Sequence, residues 1–243
     1  MPDVHCVKPP MATATPRDHR RSMEQPDPIR HVVVLGHPTA GSFNHQVADA
    51  YCETVRACGQ EAMLRDLYAT GFDPLLKPAE RRDPHSPTSS TDVIAELAAL
   101  ENVRALVFVY PVWFGAPPAI IKGYVDRVLG AGFGVREVRF GVAHPLLAGA
   151  RLITFSSSAT TTPWLRDRGH ISLQQAFDNY LTAVFAMREA RRIHYDAIVE
   201  GLDERSVREK IEATREEAVR ICATLDEERE HRALHPAAWP NDQ

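Results

Sequence analysis

Short, strongly apolar segments alternate with helical segments along this chain, and this alternation constrains the fold more than any other feature. Segments 31–36 (HVVVLG), 104–110 (RALVFVY) and 151–156 (RLITFS) have the length and the β-branched or aromatic content of buried strands. Weaker strand patterns occur at 61–67 and 191–197. Strands that alternate with helices predict an α/β fold with a five-stranded parallel sheet and helices on both faces.

The helical segments follow the strands in turn. They are predicted at 43–59, 92–101, 119–129 and 173–187, with a last long helix from about 207 onwards. This last helix has the clearest pattern, a narrow stripe in which one threonine is the only polar member: Val207, Ile211, Thr214, Ala218, Ile221 and Leu225. Such a stripe predicts that one side of the helix packs against the protein core.

The segments outside this alternation predict tails around one domain. Residues 1–28 carry scattered prolines among polar side chains and no apolar period, so they bury too little to offset the entropy of ordering. Residues 232–243, with Pro236 and Pro240, predict a C-terminal tail. The folded domain is therefore expected to span 29–231.

Composition argues against several classes of function. A formal net charge of -4 argues against a nucleic-acid binder. No apolar run approaches the about 20 residues that span a bilayer, and no signal-peptide pattern is seen at the N-terminus. The cysteines form no C-x-x-C pair, which makes a zinc site unlikely by composition: Cys6, Cys52, Cys58 and Cys222. The sequence predicts a cytoplasmic protein without a bound metal or a membrane-inserted segment.

Three loops are expected to form the ligand site. In doubly wound sheets the ligand lies beyond the carboxyl ends of the strands, where the winding direction switches. The loops that follow the first, third and fourth strands of the chain are 36–44 (the first loop), 111–119 (the second loop) and 156–164 (the third loop). These loops therefore hold the candidate binding residues.

The first loop predicts an anion site. It leads into a helix N-terminus, where free N–H groups and the helix dipole favour negative charge. Four side chains add hydrogen-bonding groups: His37, Thr39, Ser42 and Asn44. No Walker lysine and no GxGxxG pattern is present, which disfavours a nucleoside triphosphate or a Rossmann dinucleotide. The alternative is that Ser42 and Asn44 only cap the helix.

The second and third loops differ in character. Trp113 and Phe114 are adjacent aromatics in a loop stiffened by prolines, and they are placed to flank a planar heterocycle, although packing against the next helix is an alternative. The third loop, SSSATTTPW, offers six hydroxyl side chains and no charge. It is either a solvated connection or a rim that binds a polar ligand.

Three motifs in the correct order resemble the flavodoxin-like NAD(P)H:quinone oxidoreductases. They are HPTAGSFNHQV (37–47), DLYATGFDPLL (66–76), and PVWFGAPPAIIKGYVDRVL (111–129) followed by GFGV. The resemblance covers roughly residues 30–225. It implies a flavodoxin-like doubly wound sandwich and a homodimer with active sites at the subunit interface. It also implies a tightly bound flavin, as FAD or FMN, which takes a hydride from NAD(P)H and passes it to a small quinone-like acceptor.

The resemblance also assigns roles to residues. The family loop that surrounds the flavin's phosphate and ribityl chain corresponds here to His37, Ser42, Phe43 and Asn44, with Thr39 as a further donor of the loop. The family segment that lines the isoalloxazine ring corresponds here to Pro111, Val112, Trp113, Phe114 and Gly115. The family motif after the fourth strand aligns with Ser156, Ser157, Ser158 and Ala159, and its catalytic tyrosine and histidine align with Trp164 and His170.

That last motif departs from the family pattern. Ser158 and Ala159 replace glycines, so their Cβ atoms loosen or reshape the approach of the backbone to a ring. Trp164 replaces a tyrosine, and an indole N–H only donates, so a tyrosine–histidine proton relay to His170 does not operate unchanged. We therefore expect flavin binding to be retained and the acceptor specificity to be shifted.

Other functions fit parts of the sequence. A flavin-binding ancillary subunit, for example of an ion-efflux system, is expected to show little turnover and is the main alternative. An azo or nitro compound is an alternative acceptor. A serine hydrolase using Ser157 and His170 is disfavoured, because the GxSxG motif and an aspartate partner are missing.

Overall fold

The computed structural model describes residues 28–80, 89–131, 143–161, 163 and 170–234, and the structural findings concern these residues. Their strands form one parallel sheet in the order β2-β1-β3-β4-β5. The strands are β1 (Arg30–Leu35), β2 (Glu61–Asp66), β3 (Val103–Pro111), β4 (Arg151–Ser157) and β5 (Arg188–Tyr195). The expected five-stranded parallel sheet is confirmed.

Helices cover both faces of this sheet. They are α1 (Phe43–Ala57), α2 (Thr91–Ala99), α3 (Ala119–Tyr124, continued by a π-helical turn at Val125–Leu129), α4 (His170–Val184) and α5 (Glu204–Leu234), with a 3-10 turn at Pro145–Leu147. One core contains side chains of α1 and α5, and the other contains side chains of α3 and α4. The result is a three-layer sandwich.

The packing of α1 follows from its sequence. Ser42 caps its N-terminus, and Val47, Tyr51 and Val55 recur every four residues and are buried against the sheet. The helix ends before Gly59, which has a φ of 79° that glycine adopts without strain. This helix therefore starts at the edge of the sheet where the first loop lies.

The predicted helix at 119–129 is α-helical only up to Tyr124. In the π-helical turn that follows, the N–H of Gly130 donates to the carbonyl of Val125 at 2.8 Å, five residues back. Arg127 in this turn has a fully buried side chain, and it pairs with Glu80 at 2.6 Å and Asp92 at 2.8 Å. The wider turn thus places a buried guanidinium between two carboxylates.

The boundary between α4 and β5 lies about three residues earlier than the sequence pattern suggested. The helix ends at Val184, and Ala186 has a left-handed φ of 48°. Strand β5 then begins at Arg188, whose backbone lies opposite that of Arg151 in the register of β5 with β4. Alanine does not signal a left-handed residue in a sequence, and the apolar pattern continues past Val184. The pattern therefore predicted a helix that extends beyond its actual end. At the other end of the domain, α5 continues to Leu234, beyond the expected domain limit.

Candidate functional site

The three loops meet at the carboxyl edge of the sheet. The ends of β3 and β4 lie side by side, with Pro111 paired with Ser157, and the order of strands reverses around β1. A cavity of about 230 Å³ opens between the loops. This cavity is named the cleft. Nine of the residues expected from the sequence line it: His37, Phe43, Asn44, Pro111, Val112, Trp113, Ser157, Ser158 and Ala159.

Five of the expected residues are not in the wall of the cleft. Ser42 caps α1, and Thr39 is exposed beside His37. Phe114 has a φ of 49° and a fully exposed side chain, next to Gly115 with a φ of 81°. Ser156 is buried elsewhere, where its hydroxyl lies 2.9 Å from Nδ1 of His194.

The two residues expected to be catalytic are not placed in the cleft by the structure. Trp164 lies outside the described residues, and His170 is described only as the first residue of α4. The hydroxyl of Ser157, the residue considered as a hydrolase nucleophile, contacts the side-chain amide of Asn44. The roles of Trp164 and His170 therefore stay predictions.

Asn44 and Ser157 connect the first and third loops. The Ser157 hydroxyl lies 3.0 Å from Nδ2 and 3.2 Å from Oδ1 of Asn44, and both side chains are buried. A buried amide and a buried hydroxyl satisfy each other in this way, at a site where an unpaired polar group costs about 1–3 kcal/mol. The contact fixes the separation of the two loops across the cleft.

The N-terminus of α1 is an open set of hydrogen-bond donors. Within the described part of the chain, the backbone N–H groups of Phe43 and Asn44 donate to no acceptor. Both residues line the cleft. First-turn N–H groups with this freedom bind anions, and the helix dipole adds to the attraction. The anion site expected from the first loop is therefore geometrically available.

A chain of polar side chains stands beside this N-terminus. His45 places Nδ1 2.8 Å from the Ser42 hydroxyl and Nε2 3.2 Å from Oδ2 of Asp66. Asp66 is itself held by the N–H groups of Tyr68 and Ala69, each at 3.1 Å from Oδ1. The carboxylate fixes the orientation of the imidazole, and the imidazole fixes the hydroxyl at the cap.

His37 and Trp113 face each other at the mouth of the cleft. Their ring centroids are 6.4 Å apart, and partial burial lowers the pKa of His37 below its usual value. Trp113 is held in a tight turn, because its N–H and carbonyl group each bond the backbone of Ala116 at 3.1 Å. The indole is thus presented on a rigid loop, while the adjacent Phe114 points away into solvent.

Sequence reasoning missed the contribution of the segment after β5. Ile198 lines the cleft, and its N–H donates to the carbonyl of Ser158 at 2.9 Å. Ala197 has a left-handed φ of 55°, and its N–H donates to the carbonyl of Thr160 at 3.2 Å. No local sequence signal marks these residues, because their position depends on the pairing of β5 with β4.

The described residues contain no group of three or more histidine, cysteine, aspartate or glutamate residues placed to hold a metal ion. None of the described helices is both long and apolar enough to span a membrane.

The fold and the cleft define a class, the doubly wound α/β proteins that bind a ligand at the switch point between two strands. A family model described as having a flavodoxin-like fold matches residues 30–221. The chain belongs to this family, Flavodoxin_2.

Several known proteins are similar to this chain. The rat (Rattus norvegicus) NAD(P)H dehydrogenase [quinone] 1 is 34% identical over 122 residues, which are 43% of this chain and 44% of the relative. The chain thus matches less than half the length of that relative.

Solved structures resemble the fold over a larger share of the chain. An NAD(P)H:quinone oxidoreductase from Methanothermobacter marburgensis has a TM-score of 0.67 at 20% identity, covering 79% of this chain and 98% of the other. An FMN-dependent NADH-azoreductase from Bacillus anthracis, solved in complex with FMN, has a TM-score of 0.60 at 13% identity, covering 79% and 99%. At these identities the likeness shows the shared fold.

Proposed function

We propose that the protein is a flavin-dependent NAD(P)H dehydrogenase of the quinone type. One observation carries the proposal: Phe43 and Asn44, whose N–H groups donate to no acceptor among the described residues, line the same cavity as Trp113. This cavity therefore combines an anion-binding end with an aromatic wall. The names of the similar proteins, which include quinone dehydrogenases and an FMN-dependent azoreductase, support the same activity.

The residues present fit the phosphate, ribityl chain and ring that FMN and FAD share. The first turn of α1 would hold the phosphate. The Ser42 hydroxyl, which His45 orients, lies beside this turn. Trp113 would lie against the ring, because a planar heterocycle and an indole stack favourably. The neutral hydroxyl and amide groups of the cleft suit the polar ribityl chain, and none of the described residues that line the cleft is a carboxylate that would repel the phosphate.

A bound flavin supplies the redox chemistry, taking a hydride from NAD(P)H and giving two electrons to an acceptor. The protein's part is to bind, orient and exclude water. The Asn44–Ser157 contact holds the cleft at fixed width. The N–H of Ala159 donates to no acceptor among the described residues, so it is available to a ligand on which negative charge develops.

We propose a small quinone-like compound as the acceptor. Support comes from the names of the relatives and from the aromatic and neutral character of the cleft, which suits a flat, uncharged molecule. The assay is steady-state oxidation of NADH and of NADPH by the purified protein with a benzoquinone and with an azo dye. Quinone-dependent oxidation at a rate well above the acceptor-free rate is expected, and bound flavin without turnover on any acceptor would favour the ancillary-subunit alternative.

We further propose a cytoplasmic homodimer with the cleft at the subunit interface. The fully exposed Phe114 beside Trp113 supports this, since a large aromatic at the rim of a cleft is typical of a surface that another chain covers. Light scattering coupled to size-exclusion chromatography tests the assembly. A mass near 54 kDa is expected for the dimer of a 27.1 kDa chain, and a mass near that of one chain would contradict it.

A further inference from the structure

The imidazole of His194 connects two serines at the end of β4. His194 lies on β5 in register with Ser156. Its Nδ1 lies 2.9 Å from the Ser156 hydroxyl, and its Nε2 lies 3.0 Å from the Ser158 hydroxyl. Ser158 lines the cleft, whereas His194 does not. The histidine thus stands directly behind one wall of the site.

The donor and the acceptor of each hydrogen bond between His194 and the two serines follow from one carbonyl group. The Ser158 hydroxyl lies 2.9 Å from the carbonyl oxygen of Thr160, which only accepts, so Ser158 donates its proton there. Ser158 must then accept from His194, which places the ring proton on Nε2. The bare Nδ1 accepts the proton of Ser156. Burial lowers the pKa of His194 against the opposing effect of Asp196, which agrees with a neutral ring.

Backbone bonds complete the hold on Ser158. Its N–H donates to the carbonyl of Tyr195 at 3.0 Å, and its carbonyl accepts from the N–H of Ile198 at 2.9 Å. With the side chain bound by His194, the residue is held through its backbone and its hydroxyl together. The next residue, Ala159, also lines the cleft, and its N–H group is the one that the proposed function makes available to the ligand.

We propose that His194 is a positioning residue of the cleft, which acts through Ser158 to hold the third loop in its ligand-binding geometry. Its effect on flavin binding rests on the proposed function, and its effect on the loop does not. The competing explanation is a histidine that only fills space behind the sheet. The two differ in what they require at position 194: the first requires a donor at the place of Nε2, and the second requires only volume.

Two polar variants of similar size separate these explanations. In His194→Gln the side-chain amide N–H reaches the place of Nε2 and can donate to Ser158. In His194→Asn the shorter amide reaches the place of Nδ1 and leaves Ser158 without its donor. Unfolding midpoints in urea establish that each variant is folded before binding is measured.

The experiment is titration of each full-length protein with FMN, after removal of any flavin that co-purifies, followed by quenching of FMN fluorescence. We expect FMN binding to be about tenfold weaker in His194→Asn and within threefold of the wild type in His194→Gln. In a Ser158→Ala background, His194→Asn should change the affinity by less than twofold, because the hydroxyl through which it acts is gone. Equal affinities for wild type and both variants, or equal losses in both variants, would overturn the inference.

Hydrogen exchange at the third loop gives a second measurement that does not depend on flavin. His194→Asn should increase the amide exchange rate of a peptide covering 156–161 several-fold, and His194→Gln should not. If the wild type binds neither FMN nor FAD, the proposed function fails while this exchange difference still supports the positioning role. If FMN binds normally and exchange is the same in all three proteins, the positioning role fails while the proposed function stands.

Discussion

The amide of Asn44 and the hydroxyl of Ser157 lie 3.0 Å apart, although 113 residues separate them in the chain. One belongs to the first turn of α1 and the other ends β4. Because both side chains are buried, their contact couples the first and third loops and with them the two sides of the cleft.

This contact predicts coupled effects of mutation. Asn44→Ala and Ser157→Ala should each lower the free energy of unfolding by about 1–3 kcal/mol, because each leaves a buried polar partner unsatisfied. The double variant should be less destabilised than the two single changes added together, by about 1 kcal/mol. Urea unfolding of the four proteins measures this, and strictly additive effects would show that the two groups do not interact.

The second loop offers a matched pair of aromatics. Trp113 lines the cleft, whereas Phe114 is fully exposed. Trp113→Leu should weaken flavin binding about tenfold or more, because it removes the stacking surface. Phe114→Leu should change the affinity by less than threefold. Flavin fluorescence titration tests both, and equal losses in the two variants would contradict the placement of the rings.

The buried His31 predicts a dependence of stability on pH. Its Nδ1 lies 2.9 Å from the Tyr51 hydroxyl and its Nε2 2.8 Å from Oε1 of Gln60, and burial lowers its pKa from 6.5 to about 4. The unfolded chain takes up this proton at a higher pH than the folded protein does. The contribution of His31 to the free energy of unfolding is therefore fully present above pH 6.5 and is lost as the pH falls towards 4. The whole change amounts to about 3 kcal/mol.

Replacement of His31 by Asn should remove this part of the pH dependence. Urea unfolding between pH 7.5 and 4.5 is the measurement, and the slope rather than the absolute stability is the readout. A His31→Asn slope equal to that of the wild type would contradict the assignment.

The altered motif of the third loop predicts a gain of activity. If the loss of a hydroxyl relay limits turnover, Trp164→Tyr should raise quinone-dependent oxidation of NAD(P)H, because a phenol hydroxyl both donates and accepts a proton. Trp164→Phe, which replaces the indole with the same ring as tyrosine but without its hydroxyl, is the matched control and should not raise it. Unchanged or lower turnover in Trp164→Tyr, with flavin still bound, would count against the relay.

The sheet was predictable because its information is local. The apolar runs of β1, β3 and β4 mark strands buried on both faces, and alternation with helices leaves few topologies. Once the strands are parallel, the loops that follow β1, β3 and β4 meet at one edge. In the structure, His37, Trp113 and Ser157 of these three loops line one cleft.

The remaining features depend on geometry that the sequence does not display. Phe114 leaves the cleft because its backbone is left-handed at a position without a glycine. Ser156 faces away from Ser157 because successive side chains of a strand point to opposite faces. Ile198 lines the cleft and His194 lies behind its wall only because of the register of β5 against β4, which no short pattern of residues reports.

The flavin content of the purified protein is the most direct test of the proposed flavin-dependent function. An absorption spectrum of the native protein, with the mass of the molecule released on denaturation, identifies the cofactor as FMN or FAD. We predict a flavin spectrum, close to one flavin per chain after addition of excess FMN or FAD, and loss of most of it in Trp113→Leu. A protein that carries no flavin and takes up neither FMN nor FAD would contradict a flavin-dependent function.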